Sequence, residues 1–104
     1  MSNLLENYII EDEVFAMLTE DEMQFLREAH PHLREKFGED LIKLEVRYCH
    51  DIEEPALSGF MVDVYSRKEV IPAFDTLTSF ENAWFFDRMN QYKRIVFTLG
   101  FDRE

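Results

Sequence analysis

Cys49, His50 and Asp51 follow one another in the chain, with Glu53 and Glu54 close behind. A thiol, an imidazole and a carboxylate are the groups of a nucleophilic hydrolase. Their spacing works against that chemistry. On an extended chain neighbours point to opposite faces, so Cys49 and His50 cannot form a hydrogen-bonded dyad there. A catalytic thiol would have to take its base from elsewhere, such as His30 or His32, and a structural thiol is the plainer reading. His50, Asp51, Glu53 and Glu54 offer nitrogen and oxygen ligands to a metal ion. They match no defined metal-site spacing, and an acidic solvated loop accounts for them equally well. A small hydrolase or metal-dependent enzyme using His50, Asp51 and Glu53 is the enzyme hypothesis that the sequence supplies.

Other catalytic devices find little material. Gly38, Gly59 and Gly100 are the only glycines. They lie too far apart to build a phosphate loop or a dinucleotide fingerprint. No serine stands in a nucleophile-elbow pattern. His30 and His32 bracket Pro31, and residues two apart on a helix do not face the same way. His30 falls on an apolar stripe and reads as a hydrogen-bonded core or boundary residue, and His32 as a surface one. No cofactor is expected.

The carboxylates carry a second kind of chemistry, that of recognition. Lys and Arg number 11 against 22 Asp and Glu in 104 residues, a formal net charge of −11. The excess is local. Residues 1–26 hold seven acids and no Lys or Arg, and residues 49–75 hold six acids against two bases. Residues 27–48 and 76–104 balance. Glu20, Asp21 and Glu22 are explained as the first turn of a helix, where the backbone dipole favours anions. Glu11, Asp12 and Glu13, and the loop with Asp51, Glu53 and Glu54, have no such structural role. An acidic surface can steer a basic protein onto it. Nuclease toxins and other nucleic-acid-binding proteins are basic partners of that kind.

A third candidate is aromatic. Phe80, Trp84, Phe85, Phe86 and Met89 give one stretch apolar residues around most of a helical circumference. Such a helix is buried on more than one side. It is either a well-covered core helix or a helix whose second side, with Phe85 and Met89, meets a second copy or another protein. Met61, Tyr65 and Val96 on an outer sheet face would make a related contact patch.

These residues need elements to hold them. Thr19-Glu20-Asp21-Glu22 has the form of a capping box, with Leu18 and Met23 placed as a hydrophobic staple. Met23, Leu26, His30, Leu33 and Phe37 then recur at spacings of three and four. The pattern predicts a helix over about 20–37, kinked at Pro31, with Gly38 as its stop. A less regular pattern predicts an earlier helix over most of 3–18. Ile42, Leu44, Val46 and Tyr48 alternate with polar residues, as do Phe60, Val62 and Val64, and these predict a hairpin of two strands. Val70 and Ile71 fit a short third strand ended by Pro72. Thr78-Ser79-Phe80-Glu81 looks like a second capping box, opening a helix of about 79–90. Ile95, Phe97, Leu99 and Phe101 predict the last strand. The expected order is α-α-β-β-(β)-α-β. That is one α+β domain over 1–104, with helices on one face of a small antiparallel sheet.

The composition excludes several classes. So acidic a surface repels phosphate backbones, so direct nucleic-acid binding is not expected. No apolar stretch approaches the ~18 residues of a membrane span. The first basic residue is Arg27, so no targeting segment is visible. A lone Cys49 without such a segment fits the cytoplasm. The expected function is a non-enzymatic acidic protein-binding module, self-associating as a homodimer. Its partner would be a basic protein, bound in an inhibitory or immunity-type manner. Glu11, Asp12, Glu13, Asp51, Glu53, Glu54, Phe85 and Met89 are the binding residues.

Overall fold

The computed structural model describes residues 7–50, 52–54, 58–88 and 94–100. It is an α+β fold with a four-stranded mixed sheet. The elements are β1 (Ile9–Ile10), α1 (Asp12–Phe15), α2 (Glu20–Phe37), β2 (Leu41–Cys49), β3 (Gly59–Ser66), α3 (Val70–Phe80) and β4 (Ile95–Gly100). A 3-10 turn, Gly38–Asp40, joins α2 to β2, and a π-helical segment, Glu81–Phe85, extends α3.

The helix start at Thr19 follows the sequence closely. The Thr19 hydroxyl accepts from the Glu22 amide at 3.1 Å, and the Glu22 carboxylate accepts from the Thr19 amide at 3.0 Å. Pro31 sits inside α2 without ending it. Gly38 ends it at φ 60°, a left-handed conformation that glycine adopts without a Cβ penalty.

The sheet order is β1-β2-β3-β4. β2 and β3 form the expected antiparallel hairpin, with Val46 opposite Val62 and Glu45 opposite Asp63. The two outer pairings, β1 with β2 and β3 with β4, are parallel. The sheet is therefore mixed, not antiparallel. A parallel neighbour needs a crossover, and α1–α2 and α3 with its π segment supply the two. Both pack on the same face. Leu44, Val46, Phe60, Val62, Val64, Ile95 and Phe97 line that face and share one buried cluster with Phe25, Leu26, Leu33, Leu77, Phe80, Trp84 and Phe85.

Three expected elements are corrected. Within the described part of 3–18, the chain forms the two-residue strand β1 and the four-residue helix α1. Ile9 and Ile10 are β-branched and favour a pleated edge over a helical turn. Val70 and Ile71 open α3 instead of forming a strand. Pro72 is the third helical residue, where no amide donor is yet required, and the ladder begins with Ala73 N–H to the Glu69 carbonyl at 2.9 Å. That helix starts well before the expected residue 79, so Thr78 is internal to it. Residues 89 and 90 lie outside the described part.

Candidate protein-binding surface

Topology brings the acidic runs together. β1 and β2 are parallel, so the residues that follow each strand leave from the same end of the sheet. Glu11, Asp12 and Glu13 follow β1, and the loop holding Glu53 and Glu54 follows β2. All five are exposed. Asp51 lies outside the described residues. The first turn of α2 comes to the same end. Cys49 at the end of β2 pairs with Gly59, and Phe60 beside it donates its amide to the Arg94 carbonyl at the start of β4. Arg94 in turn grips Glu22, with Nε 3.0 Å and Nη2 2.8 Å from the two carboxylate oxygens. Glu22 is thus buried and committed, while Glu20 and Asp21 remain exposed. Burial alone would raise the Glu22 carboxyl. The hydrogen bonds from Arg94 and Thr19 and the Arg94 charge outweigh that and hold it below the usual carboxylate range.

A pocket of about 290 Å³ lies where β1 stops and the edge of β2 continues. Ile9, Val14, Val46 and Tyr48 give it apolar walls, and Glu11, Glu45 and Arg47 its charges. No histidine lines it.

The open face of the sheet is polar but internally satisfied. Asp63 is buried in the middle of β3, directly opposite Glu45, a placement that sets like charges against each other. Arg47 resolves the conflict. It donates to both Asp63 oxygens, from Nε to Oδ2 and from Nη2 to Oδ1 at 3.1 Å. The Tyr65 hydroxyl donates to Glu45 at 3.1 Å, and Lys43 sits 4.5 Å above the Tyr65 ring. Burial, and then the Glu45 hydrogen bond, raise the Tyr65 hydroxyl above its ordinary range.

The residues of the enzyme hypothesis are placed plainly. Cys49 is a free, half-buried thiol opposite Gly59. His50 is exposed, with Nδ1 3.3 Å from the Ser58 hydroxyl and its ring stacked 6.4 Å from Tyr48. Glu53 is exposed on the loop. Among the described residues, no group of three or more His, Cys, Asp or Glu is arranged to hold a metal ion.

The aromatic stretch divides differently from its sequence pattern. Phe85 is buried, with its ring 5.1 Å from Phe97 and 6.1 Å from Phe25. Met89 lies outside the described residues. The π turn lets Trp84 and Phe85, consecutive in sequence, both enter the core. His32, expected at the surface, is half-buried and stacked on Trp84 at 5.1 Å. Within the stretch Phe86 is exposed, and a larger apolar exposure falls on Val70, Ile71 and Phe74 of α3. Their i, i+1, i+4 spacing was visible in the sequence, but reading Val70-Ile71-Pro72 as a strand end concealed it.

No described helix is long and apolar enough to cross a membrane. The chain matches no protein-family model, no curated protein and no solved structure.

Proposed function

We propose that this chain is a non-enzymatic protein-binding module that takes a basic protein on its acidic end, in an inhibitory or immunity-type manner. The observation behind this reading is the convergence of Glu11–Glu13, Glu20, Asp21, Glu53 and Glu54 at one end of the sheet. They come from three segments, residues 11–13, 20–21 and 53–54. Arg94 at the same end is tied to Glu22, and Arg47 beside the pocket is tied to Asp63. A field of one sign raises the encounter rate with an opposite charge by about 10- to 1000-fold at low salt. The pocket beside Glu11 adds apolar area where such a partner would dock.

The hydrolase or metal-dependent alternative has less behind it. His50 and Glu53 are both exposed, and a reacting site needs a sheltered cleft.

The test is capture from native lysate with immobilised wild-type protein and with the triple variant Glu11→Lys, Asp12→Lys, Glu13→Lys. Expected is a basic protein retained by the wild type, released by salt, and at least tenfold depleted on the variant. Retention that ignores both salt and charge reversal would sink the reading.

A further inference from the structure

The two edges of the sheet are protected very differently. β1 is two residues long and pairs only with Glu45 and Val46, and the β2 edge beyond it carries the charged Lys43 and Arg47. β4 is six residues, Ile95-Val96-Phe97-Thr98-Leu99-Gly100, with no charge, no proline and no bulge. No described strand lies outside it. Natural edge strands carry such devices because an unblunted edge pairs with another chain.

The direction of the unpaired groups follows from the ladder. Phe60 donates its amide to the Arg94 carbonyl, and Phe60 pairs with Ile95 in a parallel register. Parallel ladders alternate, so Val96 and Thr98 turn their amide groups toward β3. Ile95, Phe97 and Leu99 turn theirs outward.

We infer that β4 is the dimer seam, pairing antiparallel with β4 of a second copy to make one continuous eight-stranded sheet. The two-fold centre falls on Phe97. Ile95 then faces Leu99 of the second copy, and all three outward-turned residues of each copy enter hydrogen-bonded pairs. On the open face Val96 meets Thr98, a β-branched pair well suited to a strand surface. Val96 is 44% exposed in the single chain, ready for such cover.

Self-complementarity of the strand points to a second copy as the occupant. Two chains of net charge −11 repel over most orientations. β4 presents a neutral strip, and this register sets no like charges opposite each other, since Arg94 faces Gly100. The assembly also closes. Each copy meets the same six residues of the other across the two-fold, so two copies complete the contact.

This inference does not depend on the acidic end. Its test is solution mass by light scattering across a dilution series, on three forms of the chain. The wild type is expected at twice the 12.5 kDa chain mass. The variant Val96→Lys with Thr98→Lys sets Lys against Lys across the seam twice and is expected at the single-chain mass. The variant Val96→Lys with Thr98→Glu sets Lys against Glu twice and is expected to return to the doubled mass. Circular dichroism confirms that each form is folded. A wild type that stays at the single-chain mass, or a Lys/Lys variant that keeps the doubled mass, overturns the seam. Two variants of equal mass overturn it as well, since only cross-seam pairing tells them apart.

Discussion

The two ends of the sheet hold their charges in opposite ways. At the end where β2 begins, bases and acids alternate and are used to close the structure. Lys68 lies 3.4 Å from Asp40, and Arg67 donates its guanidinium to the Glu39 carbonyl at 2.6 Å and its amide to the Asp40 carbonyl at 2.8 Å. At the end where β2 finishes, acids accumulate. Their ion pair, Glu22 with Arg94, is turned inward and fastens α2 to the start of β4. The remaining carboxylates face outward. The balanced end spends its charges on tying loops together, while the acidic end keeps one buried tie, Glu22 with Arg94, beside a set of exposed carboxylates.

The largest test of that contrast removes a cation from each end. The Glu22 side chain is 9% exposed, and Arg94→Ala would strip both guanidinium bonds from a carboxylate with little access to water. The expected loss is about 2–3 kcal/mol in urea unfolding, the scale of a lost hydrogen bond to a charged group. Lys68→Ala at the other end breaks a pair whose acid is half open to solvent, and about 0.5 kcal/mol or less is expected. Equal losses at the two ends would erase the distinction.

A smaller effect lies in pH. The folded state lowers the Glu22 carboxyl below its unfolded value, so the unfolded chain binds the proton more readily. Stability from this group is complete above the ordinary carboxylate range and is lost as pH falls through the lowered folded value. His30 works in the same direction for a different reason. Burial, and then the Arg34 charge, lower its ring, so protonation below the ordinary histidine range also opposes folding. Glu22→Gln is expected to flatten the acid limb of a stability–pH curve and leave the histidine step in place. A limb unchanged by that substitution would mean that other carboxylates carry it.

The legibility of these features in the sequence tracks how local their causes are. The capping box at Thr19 was readable because both partners lie within one helical turn. The alternation in β2, β3 and β4 was readable because one face of each strand is buried. The parallel pairings were not, since nothing in Ile9-Ile10 or in Ile95–Gly100 declares which neighbour it joins. α3 was misplaced because Val70-Ile71-Pro72 satisfies strand preferences and a helical first turn equally. The helix won once Ala73, Leu77 and Phe80 had a core to enter. The acidic runs were found as residues, but their meeting at one end depends on β1 being parallel to β2. That contact is set by packing, and only the fold displays it.

The smallest expected effect concerns Glu11, Asp12 and Glu13. All three are exposed, and α1 lacks a side-chain cap that any of them would supply. Reversing their charge with Glu11→Lys, Asp12→Lys and Glu13→Lys costs α1 a favourable dipole contact and relieves repulsion with Glu20, Asp21, Glu53 and Glu54 at the same end. The two effects oppose each other, and the net change in unfolding free energy is expected within about 0.5 kcal/mol of zero. The repulsion term is screened by salt, so raising ionic strength should stabilise the wild type more than the variant. A loss above about 2 kcal/mol would show these carboxylates to be structural. The acidic end would then resemble the balanced one, and its claim to a partner would weaken with it.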